Sequence, residues 1–170
     1  MKTKHCVMAM VALCLLGIGI QAVNTFVLKN TLWVKSHTIV TKEVTKEQLW
    51  KLFANVNAWH TWDKGIEYAK MEGNFEKGNH FILCPKGGSD VDIALIETIE
   101  NRKFVDLTKF PLAEMRGEHV FEDTPNGLKI TTTMKVEGML GFVWRKLVAE
   151  DIVNGLPTEM IEQIKTASKL

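Results

Sequence analysis

The chain has 170 residues, 46% of them hydrophobic, including five Trp and eight Phe, which is the length of one domain with material for a sizeable core. Its formal net charge is +1, and Lys and Arg are spread thinly among acids, which argues against a nucleic-acid surface and against an acidic solvating tail. No repeat, low-complexity tract or long Pro/Gly linker marks a second domain.

The N-terminus differs from the rest. Lys2 and Lys4 precede an apolar run from Cys6 to Ile20, and no acid occurs before Glu43. A short basic stretch followed by an apolar run is the form of a secretory signal peptide over residues 1–22, cleaved after Ala22. Ile20 then falls at the −3 position, where a small residue is preferred. The run alone is shorter than the ~20 residues a bilayer needs, but Val23 and Phe26–Leu28 extend it, so an uncleaved anchor is the alternative. Removing 1–22 takes two lysines from 21 basic residues and none from 20 acids, leaving a net charge of −1. Cys6 and Cys14 go with the leader, so Cys84 is left alone and no internal disulfide forms within residues 23–170.

Leu32 to Thr41 is rich in Val, Ile and Thr and reads as a first strand. Thr45-Lys46-Glu47-Gln48 has the spacing of a capping box; Leu49, Trp50, Leu52, Phe53 and Val56 then recur at helical spacing. Asn57 to Asp63 predicts a second short helical turn. From Ile66 to Glu137 the chain reads as strands, broken at Glu76–Asn79, Lys86–Ser89, Glu100–Arg102 and Thr124–Gly127. Asn126-Gly127 predicts a tight hairpin with positive φ values. Leu128, Ile130, Thr132, Met134 and Val136 alternate with polar neighbours, and so do Met115, Gly117, His119 and Phe121; each set predicts one buried face. Phe142 to Ala167 is helical in period, with a kink expected at Gly155-Leu156-Pro157. Strands grouped together with helices segregated indicate α+β. A curved sheet gripping the last helix would bury its inner face against Phe142, Trp144, Leu147 and Val148.

Trp59-His60-Thr61-Trp62-Asp63, then Glu72-Gly73-Asn74-Phe75-Glu76-Lys77-Gly78, then Phe81-Ile82-Leu83-Cys84-Pro85 resemble the polyketide cyclase/dehydrase and lipid-transport family of the START-like helix-grip superfamily (SRPBCC). Phe110-Pro111-Leu112-Ala113, His119, Gly138-Met139-Leu140-Gly141 and Leu156-Pro157-Thr158-Glu159-Met160 fall where that family has turns, a strand histidine and the limits of its closing helix; Met139 stands in place of a proline. The resemblance spans Leu32 to Ser168. It implies a helix-grip fold, a curved antiparallel sheet wrapped around a long C-terminal helix with an internal hydrophobic cavity, and binding of lipids, sterols, polyketides or aromatic molecules. It implies no shared catalytic set.

Among chemistries, nucleophilic catalysis lacks support: Ser36, Ser89 and Ser168 lie in no nucleophile elbow, and Cys84 before Pro85 reads as a small core or turn residue. His80 and Cys84 would stand about 13 Å apart along a strand, too far to share a metal, and His60 with Asp63 supplies only two ligands. Lys86-Gly87-Gly88-Ser89 lacks phosphate-loop spacing. Trp59 and Trp62 either line a cavity mouth or close the core. His119 is the candidate for polar work, as an acid/base or a hydrogen-bonding group, with Gly117 leaving space beside it and no second polar residue clearly on its face. Arg116 should face outward.

The expected function is binding or carriage of a hydrophobic small molecule outside the cytoplasm, with no cofactor and no metal. Expected lining residues are Trp59, Trp62, Phe81, Met115, Gly117, His119, Phe121, Ile130, Thr132, Met134, Trp144 and Val148. The alternative is a cyclase or dehydratase using His119; a third reading is a module whose interior is filled by its own side chains.

Overall fold

The computed structural model describes residues 32–170; the expected leader 1–22, with Cys6 and Cys14, lies outside the described residues. The order of elements is β1 (Trp33–Thr41), α1 (Lys46–Ala54), a 3₁₀ helix (Val56–Thr61), β2 (Ile66–Met71), β3 (His80–Pro85), β4 (Val91–Ile99), β5 (Lys103–Phe110), β6 (Ala113–Thr124) and β7 (Gly127–Glu137). The C-terminal segment comprises α2 (Gly141–Trp144), a π-helical turn (Arg145–Ala149) and α3 (Glu150–Ala167).

Local chemistry starts α1 where the sequence predicts. The Gln48 backbone N–H donates to Thr45 Oγ1 at 3.3 Å, and the Thr45 N–H donates to Gln48 Oε1 at 3.0 Å. Two of the orphan donors at the helix start are thereby satisfied. Leu49, Leu52 and Phe53 are the buried stripe of this helix, and the 3₁₀ helix after it fits the expected second turn.

The seven strands form one antiparallel sheet in the order β1-β7-β6-β5-β4-β3-β2. After β1 the chain crosses the sheet through α1 and the 3₁₀ helix, starts again at the opposite edge, and returns strand by strand until β7 pairs with β1. Register shifts at Ile66/Tyr68 in β2 and at Leu95/Glu97 in β4 add local twist and bend. The concave face is set by pairing: Phe104 lies opposite His119, His119 opposite Thr132, and Thr132 opposite His37. The expected alternation in β7 holds, with Leu128, Ile130, Thr132, Met134 and Val136 all buried and Lys129 and Lys135 only partly so. Arg116 faces the other way and pairs with Glu114 and, at 3.4 Å, with Glu137.

Two local expectations are corrected. The hairpin at Thr124–Gly127 forms, but of its residues only Gly127 has a positive φ, at 124°. Pro125 fixes its own φ near −65°, so both central residues cannot turn left-handed, and the unusual conformation passes to the glycine. The break in the C-terminal helix lies at Arg145–Ala149, not at Pro157, which sits inside an unbroken α3. Leu156 and Met160, 3% and 1% exposed, anchor the helix on either side of the proline. The wider π turn shifts the residues within it and before it relative to a 3.6 period. Phe142 and Leu147 therefore point outward, 55% and 65% exposed, against the expectation that they pack on the sheet.

The core divides into two apolar clusters. The larger joins α1, the 3₁₀ helix and the sheet through Phe53, Trp59, Trp62, Phe75, Phe81 and Phe104, with Phe121 and Ile130 among its members. The smaller joins Met115, Met134 and Val136 to Ala149 and Leu156, with Trp33, Phe110, Trp144 and Val148 against it. Phe104 is the hub of the first: it meets Trp50, Phe53, Phe75 and Phe121 with ring centroids 5.0–6.4 Å apart. Such edge and tilted contacts add about 0.5–1.5 kcal/mol per pair beyond area burial.

Candidate ligand-binding site

Between the two apolar clusters the concave face carries a polar band. His119 on β6 lies flat on Phe104, centroids 4.2 Å apart and planes 10° apart, with Phe53 on another side at 5.4 Å. Its Nδ1 is 3.3 Å from Thr132 Oγ1 on β7, and its Nε2 is 3.4 Å from Asp106 Oδ2 on β5. Asp106 pairs with Gly117 across the strands. A Cβ at Gly117 would stand 2.6 Å from Asp106 Oδ2, so the carboxylate lies where a side chain at 117 would be. The side chains of His119 and Asp106 keep 15% and 17% of their surface; the imidazole is fixed by partners yet not sealed.

This corrects three expectations. The space beside Gly117 is filled by Asp106. His119 does have polar company on its face, Asp106 and Thr132. Trp144 and Val148 do not descend over His119: Trp144 stacks on Phe110 at 4.4 Å and donates its indole N–H to the Pro111 carbonyl at 3.1 Å. Met115, Met134, Trp144 and Val148 thus gather at one end of the concave face. Trp59, Trp62, Phe81, Phe121 and Ile130 gather at the other, and Gly117, His119 and Thr132 lie between.

Trp59 is core: its indole N–H donates to the Phe53 carbonyl at 2.9 Å, and its ring meets Phe81 at 5.1 Å. Trp62 is 9% exposed, and its indole nitrogen is buried with no hydrogen-bond partner among the described residues. Trp62 also borders a groove of about 780 Å³ alongside α1, shared with Trp50, Leu52, Ala58 and Leu170. That groove does not reach His119.

The last helix contributes a carboxyl that the sequence reading missed. Burial chiefly, and then the negative charge of Asp63, pushes the Glu159 carboxyl above its usual range, while His119 works in the opposite direction. Gln163, 3% exposed, donates its amide to Glu159 Oε1 at 2.8 Å. Asp63 is itself pushed up by burial, against the lowering effect of the Gly65 N–H bonded to it. Asp106, His119 and Thr132 together can bind a ligand's hydroxyl or carbonyl and orient it. Among the described residues no group of three or more His, Cys, Asp or Glu is arranged to hold a metal ion.

The single antiparallel sheet, its short crossing helices and the long C-terminal helix define the class: this is an α+β helix-grip fold. Solved structures share it. A START superfamily protein from Mycobacterium smegmatis superposes with a TM-score of 0.58 at 14% identity, covering 79% of this chain and 97% of that one. Norcoclaurine synthase from Thalictrum flavum, in complex with dopamine and hydroxybenzaldehyde, gives 0.61 at 13%, covering 81% and 85%. The di-domain ARO/CYC protein StfQ from the steffimycin biosynthetic pathway gives 0.64 at 12%, covering 84% of this chain and 52% of that one. At such identities the likeness establishes the helix-grip fold alone, the fold that the sequence resemblance implies. No protein-family model matches the chain, and no curated protein matches its sequence.

Proposed function

We propose that this protein binds and carries a hydrophobic small molecule with one polar group, held against the concave face of the sheet under the last helix. The observation that carries this reading is the polar band itself: Asp106, His119 and Thr132 set between two apolar clusters and left partly open. Apolar area would supply most of the affinity, at ~25 cal/mol per Å² buried less the cost of immobilising the ligand. One hydrogen bond to the imidazole adds ~0.5–1.5 kcal/mol. The structures named above include a protein solved with dopamine and hydroxybenzaldehyde and one from the steffimycin biosynthetic pathway, which supports a small aromatic ligand. Lys2, Lys4 and the apolar run Cys6–Ile20 support action outside the cytoplasm, with residues 1–22 removed or retained as an anchor.

A second reading, a cyclase or dehydratase, is favoured by one specific feature. An imidazole beside Asp106 and Thr132, with a Glu159 that feels its charge and whose carboxyl burial keeps protonated to higher pH, would supply a base and an acid. Native mass spectrometry of protein purified from its host tests carriage: a co-purifying apolar molecule is expected. That molecule is then titrated against His119→Gln. Carriage predicts a loss of affinity of up to about tenfold; abolished turnover with binding intact would instead select the enzyme.

A further inference from the structure

The end of the sheet where β1 begins carries an apolar patch outside the core. The β5–β6 turn and the loop after β7 pack on each other there: the Leu140 N–H donates to the Leu112 carbonyl at 3.1 Å, and a Cβ at Gly138 would stand 2.6 Å from Ala113 Cα. Trp144, stacked on Phe110, ties α2 to the same turn. From this rigid base Leu112, Met139, Phe142 and Leu147 project outward, exposed by 60%, 60%, 55% and 65%. Leu112 holds a positive φ of 56°, a costly conformation for a γ-branched residue, which turns its side chain out rather than in. Leu32, 51% exposed, leads into β1 at this same end, since Trp33 pairs with Val136 near the finish of β7.

We infer that this end of the domain is a membrane-docking face, with Leu112, Met139, Phe142 and Leu147 seated in the interfacial region of a lipid bilayer. Two observations choose a bilayer over other occupants. The 31 residues that precede the described chain contain the apolar run Cys6–Ile20, and they join the domain at Leu32, beside the patch. Lys35 and Lys109, both exposed, stand three residues along the chain from Leu32 and Leu112, where they meet anionic headgroups. Of the neighbouring acids, Glu114, Glu137 and Glu150 are already engaged by Arg116, Lys135, Arg145 and Lys146, and the exposed Asp151 is the one without an ion pair among the described residues. Projecting apolar side chains with a basic rim are the composition of an interfacial anchor. The inference rests on the membrane side of the proposed function and not on ligand binding, so a failed ligand titration leaves it standing.

The full-length chain carrying Cys6→Ala, Cys14→Ala and Cys84→Ala tests it in vesicles of phosphatidylcholine and phosphatidylglycerol that contain spin-labelled lipid. One sample bears Met139→Cys labelled with an environment-sensitive fluorophore. The other bears the same label through Asn126→Cys, at the far end of the roughly 36 Å strand β6. Several-fold stronger quenching at position 139 than at 126 is expected. Adding Leu112→Ser and Phe142→Ser should abolish that difference while circular dichroism stays unchanged. Equal quenching at both ends overturns the inference, as does quenching that survives the two serines. A label at 139 already dry before lipid is added also overturns it, because the leader or a second copy then covers the patch.

Discussion

Asp106 occupies the place of the side chain that Gly117 lacks. The two residues pair across β5 and β6, and only with hydrogen at position 117 can the carboxylate lie over the neighbouring strand and come within 3.4 Å of His119 Nε2. The glycine is thus a condition of the site's geometry, through space rather than through backbone freedom. With Thr132 Oγ1 beside the opposite ring nitrogen, a neutral imidazole here would favour the tautomer that carries its proton on Nε2, toward the carboxylate.

Gly117→Ala should therefore disturb the site more than the fold. The added methyl meets the mobile end of an aspartate side chain and can push it aside, so the loss of stability should stay near 1 kcal/mol. The Nε2–H tautomer should give way to a mixture, read from the imidazole ¹⁵N shifts of His119, and Asp106→Asn should weaken the preference too. An unchanged tautomer in both variants would show that Asp106 does not orient the ring.

Glu159 yields a pH dependence with a defined sign. Burial raises its folded-state value above the ordinary 4.5, so between those two values the folded protein holds a proton that the unfolded chain releases. Stability then falls as pH rises through that window and levels off above it. Glu159→Gln retains an acceptor for Gln163 and removes the ionisation. The variant should be the more stable protein at pH 8 and should gain little or nothing at pH 4, measured by urea denaturation at both. A gain that is equal at the two pH values would mean that the buried carboxyl is not what titrates.

Gly127→Ala should cost about 2 kcal/mol or more. Its φ of 124° is closed to most side chains, and a Cβ there would collide with the Thr41 carbonyl at the end of β1. A shift in denaturation midpoint with unchanged slope is the expected result; a neutral variant would mean that the hairpin relaxes without disturbing β1.

The amino-acid sequence by itself determined the order of elements, the start of α1 and the inward face of β7. These are local matters: a capping box is completed within four residues, and Leu128 to Val136 alternate cleanly between apolar and polar partners. The motifs at Trp59–Asp63, Glu72–Gly78 and Gly138–Gly141 led to the helix-grip fold for a related reason, since each marks a turn or an aromatic contact the fold requires. Tertiary structure decided the site. In β5, Val105 and Leu107 are as apolar as their neighbours Phe104 and Thr108, so alternation cannot say which face is inner; only pairing with β6 turns Asp106 toward His119. Glu159 reads as an ordinary polar helix position until α3 is laid across the sheet. The π turn at Arg145–Ala149 leaves no composition signal, yet it rotates Phe142 and Leu147 out of the core and onto the surface. Period and capping act between neighbours a few residues apart, whereas register and helix rotation are fixed by packing between segments far apart in the chain.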